Sequence, residues 1–562
     1  MFSNRILSYG IFEQAFYLKC IYCIIALILT IPIVDIFANT EFELRSHLLY
    51  YISLFLSTIL IFSSKKTLSL EYFHYTIFFV IATIWSIQYG LYQIVPLKYI
   101  SLGVLLFSLS QFEINIKAIC FAIEVVCVLE ISLSFLQLFG VISSASGMIT
   151  GSFTNSTGLN SLLSYCLIFL LWEYGPKGKS YHLIILFLTF IVIAVTKCRF
   201  ALAAISIVLL YTRNIRSPKK YILILLCLLC LSMFFWLKQD STIGRLFIVY
   251  GTISLCLSHV FWGNGIFAFS KEYMNFQANF FKSNSSEKLA FLADNISHPL
   301  NEYLLLFETF GIFGLFILST IFYQVWKNRH QENSIWATLL LLIAIMAVFS
   351  YCLHYPIIQL LCIISLSQIH TKDKRSVKFS RNIKLILFLF TLGVGILMAK
   401  STYFEYKWKS AINMYSNNTN ISDTMERFKY LYENWNGNPY FYYNYATALR
   451  DNMDYKLSND IIEKYNNFHI DYDSMITKAN NYYDLEDFDN AIKYYNQSHW
   501  MCPNRFVPLQ GLMRTYKAMG NYYASTEIAK EIIKKKIKKK SYKVSLIKME
   551  AENLLKYEYK NY

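Results

Sequence analysis

Ser297-His298-Pro299-Leu300-Asn301-Glu302-Tyr303, running into the apolar segment that holds Phe310-Gly311-Ile312-Phe313-Gly314, is the stretch on which the fold turns. A polar cluster stands directly before a long apolar run. Pro299 cannot donate a backbone hydrogen bond and suits the first turn of a helix. Ser297 or His298 then falls at the cap. The helix expected to follow covers residues 301–324, long enough to cross a bilayer. A histidine, an asparagine and a carboxylate therefore stand where a membrane helix begins. Ionisable groups at that depth are costly and usually serve a purpose. Taken alone, the heptapeptide reads equally well as the polar interfacial cap of an ordinary span.

The rest of the chain supplies the membrane. It has 562 residues, of which 55% are hydrophobic and 16% charged, with mean hydropathy +0.37. Soluble domains average nearer 45–50% apolar. The charge is uneven: residues 1–400 hold long uncharged runs, and residues 401–562 are densely polar. This pattern predicts a polytopic membrane protein, residues 1–400, with a soluble tail, residues 401–562. The net charge of +16 comes largely from membrane-flanking Lys and Arg and from a late lysine run. It makes no case for nucleic acid. Most of the 12 cysteines lie in apolar runs, and Cys502 alone lies in the tail, so no disulfide within the tail is expected. Cys20/Cys23 and Cys227/Cys230 read as packing residues. The first apolar run lacks a convincing cleavage site and reads as a span, not a signal peptide.

Candidate spans fall at 19–38, 48–63, 73–93, 95–112, 116–139, 158–174, 181–197, 199–212, 220–237, 301–324, 335–352, 355–371 and 382–400, about 12–13 helices by hydropathy. With the N-terminus in the cytoplasm, the loops with Lys65/Lys66, Lys177/Lys179, Arg213/Arg216/Lys219/Lys220, Lys327/Arg329 and Lys372/Lys374/Arg375/Lys378/Arg381 all fall inside. The opposite loops are poor in cations, and 140–157 has none. Loop 238–300, the turn with Arg199 and the tail are then expected outside.

On that outer side, loop 140–157 is uncharged and rich in Gly, Ser and Thr, and Asn155 or Thr157 can cap the next helix. Thr196-Lys197-Cys198-Arg199 is a tight turn whose cations can simply snorkel to the headgroups. Gly244-Arg245-Leu246-Phe247-Ile248-Val249-Tyr250 begins an amphipathic segment. Phe261-Trp262-Gly263-Asn264-Gly265 reads as a turn closely approached by something else; no strand–GxxxxGK–helix context makes it a phosphate loop. Residues 271–297 are polar and aromatic and are expected to be mobile.

The tail is helical by pattern. Tyr482 and Tyr516 are 34 apart, as are Asp487 and Asn521, which is the tetratricopeptide period. A looser unit precedes them at Ala446, Leu449, Asp454-Tyr455 and Ser458. Lys534–Lys536 and Lys538–Lys540 form a cationic run whose simplest reading is a solvated face, with anionic lipid or glycan binding as the alternative.

Each polar site is weak alone, but Asn155, Arg199, Arg245 and His298 all fall on one side of the membrane by charge topology. Gly151-Ser-Phe-Thr-Asn155, Thr196-Lys-Cys-Arg199, Arg245 with Gly263-Asn-Gly265, and His298-Pro-Leu-Asn301-Glu302-Tyr303 with Glu308 and Gly311-Ile-Phe-Gly314 occur in that order. Over residues 70–370 the chain resembles the O-antigen ligase/polymerase family, bacterial membrane enzymes that move glycans from undecaprenyl diphosphate. The resemblance implies an all-α, GT-C-like transmembrane bundle with an outward-facing site and inverting transfer without a metal or other cofactor. Family members often carry Ser where this chain has Cys198, and a His or Asn nearer His298 than Asn301 stands. The tail is not part of the family core and resembles domains appended to some ligase-like enzymes, protein-glycosylating ones included.

The resemblance and the residue types point to one chemistry. Arg199 and Arg245 suit a diphosphate, because guanidinium makes forked contacts to phosphate oxygens. His298 suits a general base for the acceptor hydroxyl. Glu302, one turn on, orients it or holds the acceptor, with Asn155 and Asn301 as further substrate contacts. The expected donor is an undecaprenyl-diphosphate-linked glycan; the acceptor is lipid A-core or protein, or a growing glycan in a polymerase. The expected location is the bacterial inner membrane with the tail in the periplasm, in contact with membrane lipids and with a protein partner through the repeats. A lipid-linked glycan flippase is the competing class, and it needs charged groups along a central path; Glu124 and Glu130 are the carboxylates in the middle spans. A membrane-tethered scaffold leaves the outer arginines and His298 unexplained. A metalloprotease fails because no HExxH exists.

Overall fold

The computed structural model describes residues 50–51, 53–54, 57, 67–69, 73–87, 95–110, 114, 116–144, 147–174, 179–212, 218–237, 239–284, 286–328, 334–369, 376–378, 381–417, 421–435 and 438–561. The span expected at 19–38 and most of that at 48–63 lie outside the described residues. What is described is helical apart from one short strand pair and one 3-10 turn. The chain forms two compact units. One gathers Met1–Lys238, Asn301–Tyr303 and Leu315–Glu405; the other gathers Gln239–Leu300, Leu304–Gly314 and Tyr406–Tyr562.

The first unit contains α1 (Phe73–Ile87), α2 (Val95–Leu109), α3 (Ile116–Leu138), α4 (Ser156–Tyr174), α5 (Ser180–Val195), α6 (Arg199–Tyr211) and α7 (Pro218–Leu237). Later come α13 (Ser334–Phe349), α14 (Pro356–Ser367) and most of α15 (Arg381–Ser416). Its axis is α4, buried from Gly158 to Leu171 and packed against α3, α5, α6, α13 and α14. A helix apolar on all sides belongs at the centre of a bundle. Its polar side chains turn back on the helix: Asn160, Ser161 and Ser164 each donate to the carbonyl four residues earlier. Many outward-facing side chains on α7 and α15 are also apolar, among them Tyr221, Leu225, Leu229, Leu385, Phe390 and Ile396. Among the described residues two helices, Ile119–Leu138 and Lys384–Ser416, are long and apolar enough to cross a membrane, and six shorter apolar helices accompany them.

Short contacts close the ends of this unit. At one end β1 (Thr67–Ser69) pairs antiparallel with β2 (Ser376–Lys378), Thr67 opposite Lys378. Gln368 accepts from the Ile114 N–H at 2.8 Å and donates to the Leu109 carbonyl at 3.2 Å.

The helix expected over 301–324 is two helices, α11 (Glu302–Phe310) and α12 (Ile312–Asn328). The break is Gly311, at φ 60°. The Phe261-Trp262-Gly263-Asn264-Gly265 turn crosses there. Asn264 and Gly265 N–H donate to the Glu308 and Thr309 carbonyls at 2.7 and 3.2 Å, and Ile312 N–H donates to the Val260 carbonyl at 3.0 Å. A Cβ on Gly263 would strike the Thr309 carbonyl, and one on Gly311 would strike that of Phe261. The glycines are where two backbones touch, a contact that admits no side chain.

The second unit also holds α8 (Gln239–Cys256), α9 (Ala268–Ser283) and α10 (Glu287–Leu292). Residues 271–297, expected to be mobile, include most of α9 and all of α10. Phe269, Tyr273, Phe276 and Phe280 recur every three to four residues and form one aromatic face of α9. Tyr273, Met274 and Ala278 are buried there with Tyr472, Met475, Met501 and Cys502 of the tail.

The tail consists of α16 (Ile421–Asn434), α17 (Pro439–Asp451), α18 (Tyr455–Asn466), α19 (Tyr472–Asp484), α20 (Phe488–Met501), α21 (Val507–Ala518), α22 (Tyr522–Lys534) and α23 (Tyr542–Asn561), each packed on the next. Three of its turns share one geometry. Met453, Glu486 and Gly520 take φ of 63°, 60° and 75°. The following residues Asp454, Asp487 and Asn521 donate their N–H to the carbonyls of Leu449, Tyr482 and Tyr516, each at 2.9 Å. Their side chains then accept from Leu457, Asn490 and Ala524 N–H, capping the next helix. A left-handed C-cap runs directly into an Asx N-cap.

Candidate functional site

Three of the sequence-predicted residues meet in the first unit at one turn. That turn is Val348–Tyr355, between α13 and α14, with a 3-10 turn at Cys352–His354. Asn155 caps α4: its Oδ1 accepts the Thr157 N–H at 2.8 Å and the Gly158 N–H at 3.3 Å. The same oxygen accepts the Tyr355 hydroxyl at 2.6 Å, and Nδ2 donates to the Tyr351 hydroxyl at 2.8 Å. Asn301 caps α11 by accepting the Tyr303 N–H at 3.0 Å, and its Nδ2 donates to the Val348 carbonyl at 2.9 Å. Glu302 is buried, and its Oε1 accepts the Leu353 N–H at 2.7 Å. Tyr303 donates its hydroxyl to the Ala344 carbonyl at 2.7 Å.

The cap of α11 is therefore Asn301, not Ser297 or His298, and Pro299 precedes the helix. Leu300 sits at φ 56°, a left-handed conformation that no helix continues through. Asn301 can start the helix because its short amide reaches the second free N–H.

Arg199 opens α6, directly after Lys197 at φ 55° and the N-cap Cys198. This turn is joined to the start of α4, since Thr196 donates to Asn160 Oδ1 at 2.9 Å. Asn160 lies about 6 Å of helix rise beyond Ser156. Asn155, Asn301, Glu302 and the Arg199 turn thus share one end of the first unit. Arg245, on α8, and His298, just after Ile296, belong to the second unit.

Several residues of this arrangement were not assigned to it from the sequence; Glu130 was named there only as a carboxylate a transport path would need. Glu130 and Gln137, seven residues apart on one face of α3, hold the loop that leads to Asn155. Glu130 accepts both the N–H and the hydroxyl of Ser152. Gln137 accepts the Thr150 and Gly151 N–H at 2.9 and 2.8 Å and donates to the Gly151 carbonyl at 2.8 Å. Gly151, at φ 59°, lies so close that a Cβ would strike the Glu130 carboxylate. A carboxylate inside an apolar run was the signal for Glu130. Tyr351 and Tyr355 gave none, because aromatics are common throughout these helices. Gln359 braces the same turn, donating to the Leu353 carbonyl and accepting the Tyr50 hydroxyl.

In the second unit the His298 segment is held by the tail. Ile296 and Leu300 pack in the cluster that holds Tyr472 and Met475. The turn Phe468-His469-Ile470 lies by the start of α9: Ile470 N–H donates to the Ser270 carbonyl at 3.0 Å, and the Ser270 hydroxyl donates to that of Phe468 at 3.1 Å. His469 stacks on Tyr465 with ring centroids 5.6 Å apart. Burial pushes His469 down to about 4; Asp471 opposes the shift and His298 adds to it. A neutral imidazole from the tail is therefore a near neighbour of His298.

Comparison of the sequence with protein-family models and with curated proteins finds no match.

Proposed function

We propose that the chain is an inverting, metal-independent membrane glycosyltransferase of the O-antigen ligase type. It transfers a glycan from undecaprenyl diphosphate to an acceptor at the periplasmic face of the bacterial inner membrane. The observation that carries this reading is the convergence of Asn155, Asn301 and Glu302 on the Val348–Tyr355 turn, with the Arg199 turn tied to the same helix start. These were picked from the sequence as separate motifs, up to about 150 residues apart.

The contacts at helix ends support the multi-pass topology. Every loop in that cluster is an outer loop by charge counting, whereas β1, β2 and the Ile114–Gln368 bond join loops assigned inside. Loops of the two classes do not mix in these contacts, as alternating spans require. Glu124 and Glu130, the carboxylates a transport path would use, lie six residues apart in the middle of α3 and are each engaged, with Tyr174 and with Ser152. That favours transferase over flippase.

In the proposed reaction Arg199 and Arg245 hold the donor diphosphate and balance its growing charge as the glycosidic C–O bond breaks. His298 takes the proton of the acceptor hydroxyl, whose oxygen attacks the anomeric carbon from the opposite face. The diphosphate leaves with the bonding electron pair, and the anomeric configuration inverts. Glu302 acts as a positioning residue, because its carboxylate is occupied by the Leu353 amide. The three matching turns of the tail, 33 and 34 residues apart, support a tetratricopeptide-like array. Such arrays bind macromolecules on a concave face, which favours lipid A-core or protein as acceptor over a growing glycan.

The test is transfer from lipid-linked donor to acceptor in vitro, normalised to purified protein. His298→Ala is expected to lose about 10²–10⁴-fold in rate while donor binding persists. Near-normal specific activity, or inactivity traced to lost donor binding, overturns the general-base role.

A further inference from the structure

Helix α8 is apolar on two opposite faces. One face, with Phe247, Ile248, Gly251 and Cys256, is buried. The other carries Leu246, Tyr250 and Ile253, continued by Leu257 just past the helix end, at offsets of four, seven and eleven residues, which fall within about 60° of helical arc. Phe261, Trp262, Ile312 and Phe313 extend the surface, with the Trp262 and Phe313 rings 5.4 Å apart. All eight side chains are between 43% and 68% exposed. A contiguous apolar surface of this kind marks an interaction site, not ordinary surface.

We infer that this face of α8, with the Phe261-Trp262 turn, lies in the headgroup–acyl boundary of the outer leaflet as an interfacial helix. Lipid is favoured over a protein partner by the chain on both sides. One residue, Lys238, separates α8 from α7, whose exposed residues include Tyr221, Ile222, Leu225, Leu228, Leu229 and Met233. Ile312 and Phe313 begin α12, which continues with exposed Leu315 and Phe316. The patch is thus bounded in sequence by helices whose own outer faces are apolar. Its composition suits the boundary as well: Tyr and Trp sit at headgroup depth, and the stripe itself carries no charge. Arg245, beside the stripe, is then held near phosphate depth, where the donor diphosphate would lie. The inference uses the membrane location of the proposed function but not its chemistry.

The experiment uses full-length protein in vesicles of phosphatidylethanolamine and phosphatidylglycerol, with photoreactive p-benzoylphenylalanine in place of Tyr250, Leu257 or Phe261. Tyr523, an exposed aromatic of the tail, is the control position. Irradiation is expected to give phospholipid adducts by intact mass at the three α8-side positions and none at Tyr523. Cross-linking of those positions to a second copy or to another protein overturns the inference, as does equal lipid labelling at Tyr523. Labelling is read whether or not a glycan is transferred, so intact labelling with failed transfer counts against the proposed chemistry alone.

Discussion

Replacing Asn155 separates its structural role from a role at the donor. Its side chain caps α4 and bonds both Tyr351 and Tyr355. Loss of a cap costs about 0.5–2 kcal/mol. Each partly buried hydroxyl bond contributes about 0.5–1.5 kcal/mol net. Asn155→Ala should therefore destabilise the protein by about 1.5–5 kcal/mol, less any relaxation. Asn155→Asp behaves differently. The carboxylate still accepts from the helix amides and from Tyr355, Tyr351 can turn its own hydroxyl to donate, and an anion at a helix start is favourable by about 0.3–1 kcal/mol. Stability should stay within about 1 kcal/mol of the native protein. A diphosphate near this end would, however, meet a like charge. At about 5 Å and an effective dielectric of about 20, repulsion is about 3 kcal/mol, roughly two decades in kcat/KM. The assay pairs thermal unfolding of purified protein with in vitro transfer. Full specific activity of Asn155→Asp refutes a donor site at this end of the unit. An unshifted Tm for Asn155→Ala refutes the hydrogen-bond account of the turn.

The arginines give a second test: Arg199→Ala and Arg245→Ala should each lose a charge-assisted contact of about 1.5–3 kcal/mol in transfer. Lysine at either position should rescue only in part, and full activity of both alanine variants removes them from the site. Gly263→Ala and Gly311→Ala should each destabilise strongly, through a left-handed penalty of about 1–2 kcal/mol and a backbone collision. Because each blocks the same crossing, the double variant should cost clearly less than the sum, and additivity on unfolding would deny the contact. His469 and His499 are pushed down to about 4 and about 3, burial being the main cause. Unfolded imidazole titrates near about 6.5, so their stabilisation is complete above that pH and is lost as pH falls toward 4 and 3, at about 1.4 kcal/mol per pH unit each. Proteolysis of the full chain between pH 7 and 4 should show a shallower acid sensitivity in His469→Gln and His499→Gln, and an unchanged profile refutes it.

Features set by local chemistry were legible in the sequence. Asn155 reads as a cap because a short amide before a helix has one good use. The 34-residue spacing of Asp487 and Asn521 falls on two N-caps at matching turns, because capping residues must stand at fixed places in a turn. What escaped depends on partners distant in the chain. Nothing in residues 301–324 says that the helix breaks at Gly311; the break needs the Gly263 backbone, about 50 residues earlier. Residues 271–297 look polar enough for a mobile segment, and the packing of α9 against tail residues such as Tyr472 and Met501 could not be read there. Tyr351 and Tyr355 are lost among 44 tyrosines until the fold places them on Asn155. His469 becomes relevant only because the tail turn is buried beside the His298 segment.

The matching tail turns separate backbone from side chain. What recurs at Met453, Glu486 and Gly520 is a backbone angle and the amide–carbonyl bonds that follow it, while the side chain at that position is in turn a thioether, a carboxylate and hydrogen. Selection for the angle is met most cheaply by glycine and tolerates other residues at a modest penalty. Turns with the same backbone can therefore differ in every letter. At two of these positions Met453→Gly and Glu486→Gly would relieve torsional strain that the chain now carries.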